Sequence, residues 1–224
     1  MTQSPAARRL RARTILARLE RAYPHATIAL RFETPLELLA ATILAAQCTD
    51  ERVNAVTTTL FTRYRTARDW ATAEPATLEG EIHSTGFFRA KTRALIGMAQ
   101  ALVARHGGQV PRTMEELTDL PGVGRKTASV VLGNAFGIPA IAVDTHMSRV
   151  SQRLGLAVAS DPEKIHDELC AVLPRPRWIQ ATHLVITHGR RTCHARTPDC
   201  PRCPVLGLCP WPDKVTPGRR RAKK

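Results

Sequence analysis

Three observations predict an all-α fold. Apolar residues recur at spacings of three and four along nearly the whole chain. Aromatic residues make up only 4% of the 224 residues, which suits a helical bundle rich in alanine and leucine better than a β sandwich. Proline and glycine fall where the periodicity breaks, as they do at helix ends.

The elements can be justified in order. Leu10, Ile15, Leu16 and Leu19 keep roughly helical spacing until Pro24. Arg8, Arg9, Arg11, Arg13 and Arg18, with no acid among them, also fit an organelle transit peptide, but the apolar stripe favours a structural helix. Leu36, Leu39, Ala40 and Ile43 form the next stripe. Val53, Val56 and Leu60 follow, with Thr49 or Asp50 as cap. Leu95, Met98 and Leu102 lie on a helix ended by Gly107 and Gly108, and Pro111 and the Pro121–Gly122 turn bracket a short helix with Met114, Leu117 and Leu120. Residues 128–136 are apolar enough for a buried helix, stopped by Gly137 and Pro139. Residues 138–143 could form a short strand, yet their flanks fit a connector better. Asp144 or Thr145 caps another helix, Asp161 starts one more, and the last is expected over 177–188, ending at Gly189. No internal repeat is visible, and no run of apolar residues is long enough to span a membrane.

The formal charge is +14, with a pI of about 10.5, which points to a polyanionic partner. Residues 1–30 hold six Arg and one acid, and residues 189–224 hold ten basic residues and two acids. The 158 residues between them hold 17 basic and 16 acidic residues, so the excess lies at the two ends. If the ends meet in space they form one basic face. Residues 213–224, closing in GRRRAKK, read as a disordered basic tail.

Residues 120–128 read LPGVGRKTA. Gly122, Val123 and Gly124 can bring their backbone against a phosphate, because the glycines have no Cβ and tolerate positive φ. The unpaired N–H groups of the helix that follows serve the same anion. Arg125 and Lys126 fall in its first turn, and Lys126 sets a primary amine beside whatever is attached to that phosphate. Alone, such a motif is more often an ordinary αα-turn; the other segments change that balance.

Four cysteines crowd into 17 residues as Cys193-x6-Cys200-x2-Cys203-x5-Cys209. In a chain expected to be intracellular they suggest a metal site rather than disulfides. Structural zinc usually draws on two tight pairs. Only one tight pair is present here, in a loop stiffened by Pro198, Pro201, Pro204 and Pro210. That spacing leans toward an iron–sulfur cubane and leaves zinc open. Cys48 and Cys170 lie outside the pattern and read as buried thiols in apolar helical runs.

Together these segments resemble the endonuclease III family of helix-hairpin-helix DNA glycosylases. LPGVGRKTA at 120–128, VDTH at 143–146 and the cysteine loop at 193–209 occur in the expected order, and LAAQCTD at 44–50 adds a fourth match. The resemblance runs from about residue 10 to residue 212. It implies two helical domains with a DNA cleft between them. Residues 28–138 would be a six-helix domain carrying the hairpin. Residues 1–27 and 139–212 would form a discontinuous domain holding a [4Fe–4S] cluster on Cys193, Cys200, Cys203 and Cys209.

The resemblance further implies a base-excision-repair enzyme, a DNA N-glycosylase that is also an abasic-site lyase. It would remove oxidised pyrimidines such as thymine glycol and cleave the strand by β-elimination through a lysine Schiff base. Lys126 would be the nucleophile and Asp144 the assisting carboxylate. Gln47 would fill the space left by the flipped nucleotide, and Phe87 would be the intercalating wedge, with Phe88 its competitor. Gly122, Val123, Gly124, Arg125 and Arg196 would contact DNA phosphates. His146 is expected to be structural, and Ala45 stands where related enzymes can carry a polar residue near the lesion. Expected are double-stranded damaged DNA as partner, no membrane, a monomer, and the cytoplasm or nucleoid of a prokaryote. The rivals are the adenine-removing branch, which lacks the lysine nucleophile, a non-catalytic zinc-stabilised binding module, and a lyase-only DNA-binding paralogue.

Overall fold

The computed structural model describes residues 4–215. Among them the chain forms eleven α-helices: α1 Pro5–Ala22, α2 Pro35–Leu44, α3 Asp50–Arg63, α4 Ala67–Ala71, α5 Pro75–Ile82, α6 Phe88–His106, α7 Met114–Thr118, α8 Arg125–Phe136, α9 Thr145–Arg153, α10 Pro162–Val172 and α11 Trp178–Arg191. No strand occurs among the described residues; 138–143 is an irregular connector. No described helix is long and apolar enough to cross a membrane. The chain divides into two compact units, one of residues 4–27 with 141–215 and the other Ile28–Ala140.

The Ile28–Ala140 unit contains α2 to α8. Its core is built from Leu38, Leu39, Leu44, Trp70, Leu95, Met98 and Leu102, all fully buried. The Tyr64 ring stacks on Trp70 at a centroid separation of 4.6 Å. Five of its helices, α2 to α5 and α7, start on side-chain caps. Thr34 accepts from the Glu37 N–H while the Glu37 carboxylate accepts from the Thr34 N–H, and Thr66 and Asp69 repeat that reciprocal arrangement. Thr49, Glu74 and Thr113 cap α3, α5 and α7. Gly107 and Gly137 end α6 and α8 in the left-handed conformation.

The other unit packs α1, α9, α10 and α11 around Ile15, Leu19, Met147, Val150, Leu169, Leu184 and Val185. Leu10 does not share this core: it stands 67% exposed on the outer face of α1. The last helix does not stop at Gly189 but runs through it to Arg191. A Cβ at Gly189 would lie 3.1 Å from His146 Cβ and Nδ1 and from Val150 Cγ2. Glycine is therefore needed for close approach of α11 to α9, and packing outweighs its weak helix propensity.

The chain ends also bond internally. The Arg11 guanidinium donates to the carbonyls of Leu154, Gly155 and Leu208, and Arg8 donates to Leu156 O at 3.2 Å. These two arginines thus hold their own unit together, while Arg9, Arg13, Arg18 and Arg21 stay exposed. Of the stretch read as a tail, only 213–215 is described, and there Lys214 donates to the Cys209 carbonyl. The GRRRAKK segment lies outside the described residues. Cys48 lies in the turn after α2 rather than in a helix, and both Cys48 and Cys170 are half-buried rather than enclosed.

Candidate nucleic-acid and metal sites

Between α7 and α8 the chain makes the tight turn expected from its glycines, although the two serve different ends. Gly122 sits at φ +75°, and a Cβ there would stand 2.5 Å from Ala94 Cβ. Both the backbone conformation and the space exclude a larger residue. Gly124, at φ −91°, is extended, with nothing near its missing Cβ; it leaves the backbone open rather than supplying positive φ. Val123 is only 5% exposed and anchors the turn in the core, so its backbone alone can face a ligand. As N-cap of α8, Gly124 offers no side-chain acceptor, and the first-turn N–H groups are presented to an incoming anion. Arg125 and Lys126 occupy that turn with exposed side chains. Ala128, Val131 and Leu132 bury the opposite face of α8 and fix its direction.

Elsewhere in this unit, two side chains are held on unusual backbone. Among the described residues, Gln47 at φ 52° and Phe87 at φ 49° are the only non-glycine residues with positive φ. Such conformations cost about 1–2 kcal/mol and gather where a site needs a fixed side-chain direction. Gln47 is exposed in the turn after α2. Phe87 is 64% exposed at the start of α6, whereas Phe88 packs against the core with its ring 4.5 Å from that of His83. Of the two phenylalanines, Phe87 is the one that projects. Ala45 is partly buried against the same core.

Sequence reasoning passed over Lys91. It is 4% exposed, and its Nζ donates to Leu44 O at 2.7 Å and to Thr85 O at 2.8 Å. Burial pulls its pKa below the ordinary lysine value, with the neighbouring Cys48 acting the other way. A signal was present: positions 91, 95, 98 and 102 share one face of α6, and the other three are Leu95, Met98 and Leu102.

In the other unit, half-buried Asp144 is the N-cap of α9, and its Oδ1 accepts from the Met147 N–H at 2.6 Å. The bond fixes the carboxylate and leaves its second oxygen for other chemistry. His146 lies 3.1 Å from Arg149 Nη2 and packs against Gly189. Burial lowers its pKa, opposed by the charge of Asp144.

Cys193, Cys200, Cys203 and Cys209 line one pocket together with Arg153, His188, Thr192 and Trp211. The pocket encloses about 340 Å³ of unfilled space, its open mouth included. Burial raises the Cys203 thiol to about 11, with Cys209, Cys193 and Cys200 pushing the same way, and burial also raises Cys209. Cys203 and Cys209, buried beside the other two cysteines, resist ionising unless a cation joins them. Four thiols lining one pocket are a donor set of the kind that thiolate-bound metal and iron–sulfur groups use.

Arginines clamp this loop. Arg153 donates to His194 O at 2.7 Å and Ala195 O at 2.8 Å and lies 4.1 Å from the centroid of the Trp211 ring. Arg149 donates to Cys193 O and Gly189 O. Tyr23 Oη hydrogen-bonds His188 Nδ1 at 2.9 Å and Thr192 Oγ1 at 2.7 Å. Arg196 stands exposed between the first two cysteines.

Residues 40–175 match the family model of the HhH-GPD superfamily base excision DNA repair proteins. An endonuclease III from Synechocystis is 50% identical over 206 residues, covering 92% of this chain and 94% of the relative. The chain belongs to the endonuclease III family. Two solved structures show the same fold at 41% identity and a TM-score of 0.87. One is a non-covalent endonuclease III–DNA complex, with 94% of this chain and 96% of that chain covered. The other is a trapped endonuclease III–DNA covalent intermediate, with coverage of 94% and 97%. Endonuclease III family membership makes the protein a base-excision-repair enzyme that combines DNA glycosylase and abasic-site lyase activities.

Proposed function

We propose that the protein removes oxidised pyrimidines of the thymine glycol type from double-stranded DNA as a monomer, with Lys126 as its nucleophile, in the cytoplasm or nucleoid of a prokaryote. The observation that carries this reading is the exposed Lys126 amine in the first turn of α8, directly after a turn fitted to a phosphate. The N–H groups at the start of α8, with the Gly122–Val123–Gly124 backbone and Arg125, hold the DNA backbone. Arg196 supplies a further phosphate contact.

A base inside a duplex is out of reach, so the nucleotide must be turned out, at a cost of a few kcal/mol. Gln47 fills the space left behind and Phe87 wedges between neighbouring bases. The neutral Lys126 amine attacks the sugar C1′. The bond from C1′ to the base breaks, and the base leaves with the bonding pair and takes up a proton. With one amine proton lost, the nitrogen lone pair opens the sugar ring, the ring oxygen takes up a proton, and the protonated imine that remains accepts the electrons released when a C2′ proton is removed. The C3′–O bond then breaks and the 3′ phosphate departs. Only a primary amine can form that imine. Asp144, its direction fixed by the Met147 N–H, is the carboxylate that takes up protons and steadies positive charge on the sugar.

We assign Cys193, Cys200, Cys203 and Cys209 to a [4Fe–4S] cluster, supported by four thiols that line one pocket and by a spacing with only one tight pair. When bound, such a cluster would cross-link the loop of which Arg196 is part. The test uses two duplexes, one bearing thymine glycol and one an abasic site. The wild type should release the base from the first and nick both. Lys126→Ala should bind both and nick neither, and Asp144→Asn should slow base release while staying folded. Normal nicking of the abasic duplex by Lys126→Ala would refute the assignment.

A further inference from the structure

We propose that Lys91 is a positioning residue: its buried ammonium ties the turn bearing Gln47 to the turn bearing Phe87 and holds both side chains ready to enter a duplex. The proposal rests on Gln47 and Phe87 being the inserting residues.

The placement of the two acceptors carries it. Leu44 is the last residue of α2, and Thr85 is the last of the short 3-10 turn His83–Thr85. Their carbonyls are chain-end acceptors that the element itself leaves without a partner, at the negative end of its dipole. Lys91 Nζ donates to both, at 2.7 and 2.8 Å. Gln47 follows Leu44 by three residues and Phe87 follows Thr85 by two. One cation therefore closes both elements just before the chain turns into its two left-handed non-glycine residues. Strained backbone of this kind persists only where its surroundings over-determine it, and here both turns share a single buried tether.

Packing alone gives no reason for a lysine. Positions 95, 98 and 102 on the same face of α6 are filled by Leu95, Met98 and Leu102, so an apolar side chain would suit the packing there. Methionine at position 91 would continue that face. What it would lose is the donation to two carbonyls. Lys91 is enclosed in the core and acts through Gln47 and Phe87.

The experiment follows extrusion of the abasic nucleotide and entry into the space it leaves by stopped-flow fluorescence, with 2-aminopurine opposite a tetrahydrofuran abasic analogue in a duplex. It is paired with the nicking rate on a single-stranded abasic oligonucleotide, which has no partner strand to invade. Lys91→Met should slow extrusion by about tenfold or more, equivalent to one strained backbone position left unsupported. Single-strand nicking should stay within about twofold, and adding Lys91→Met to a Gln47→Ala/Phe87→Ala double variant should slow extrusion by no more than about twofold further, since effects acting through shared residues do not add. If the double variant alone extrudes the abasic nucleotide normally, the insertion reading fails and the proposal goes with it. If the double variant is slow but Lys91→Met is normal, or its loss adds in full, insertion stands and the positioning role is refuted. Should Lys91→Met not fold, Lys91→Gln, which keeps one donor group, is read on the same two substrates. A glutamine variant that loses both rates together, or does not fold, makes Lys91 a requirement of the fold and overturns the proposal.

Discussion

The two units use similar helices but are closed in different ways. Ile28–Ala140 is sealed by an apolar core around Trp70, Leu95 and Met98, and five of its helices begin on short side-chain caps drawn from the same stretch of chain. The unit of residues 4–27 and 141–215 has a core of its own, yet the segment after α11 holds no α-helix. Arginines donating to backbone carbonyls bind that segment, with Arg11, Arg149 and Arg153 as the principal clamps, around the pocket lined by the four cysteines, where burial raises the Cys203 and Cys209 thiols. The lesson is that the first unit carries its closure in local sequence, whereas the second draws on long side chains that reach across from distant helices.

The largest expected effect breaks the second unit alone. Cys203→Ser should abolish visible absorbance near about 400 nm, the signature of the assigned cluster. It should also raise amide exchange through 193–209 while leaving α2–α8 protected. Equal loss of protection in both units would erase the contrast. Second is Met98→Ala in the first unit, where a fully buried side chain should cost about 2–5 kcal/mol in denaturant unfolding. Visible absorbance should be unchanged in the folded variant.

The smallest effect concerns acid. Burial pulls the His188 pKa down to about 4, against about 6.5 in an unfolded chain. Between those values the unfolded state binds a proton that the folded state does not. The stability is therefore complete above about pH 6.5 and declines as the pH falls toward about 4, by up to about 3 kcal/mol for this residue. Burial shifts His183 in the same direction. Unfolding curves for the wild type and His188→Gln between pH 4 and pH 7 should converge on the acid side if the assignment holds.

Much of the first unit was legible because its signals are local. Leu95, Met98 and Leu102 repeat at helical spacing, Thr49 stands at a helix start, and Gly107 ends a helix in the left-handed conformation. Lys126 and the turn before it could likewise be read from nine residues. The five residues of α4 are too few to show a period. Gly189 misled because close packing on His146 outweighed the helix-ending rule. Gly124 serves openness and Gly122 serves positive φ, and a motif with two glycines does not say which is which. The arginine clamps were hidden for another reason. A guanidinium bonded to carbonyls such as Leu208 O is, in sequence, indistinguishable from one facing solvent, so Arg8 and Arg11 were counted toward a basic surface. Lys91 was legible in principle, as one charge on an otherwise apolar helical face.

The role of Lys126 is tested most directly by borohydride trapping on a thymine glycol duplex, followed by peptide mapping of the adduct. A reduced cross-link to DNA mapping to Lys126, and absent in Lys126→Ala, is the expected result. A cross-link of normal yield in Lys126→Ala, or one mapping to another amine, would contradict it.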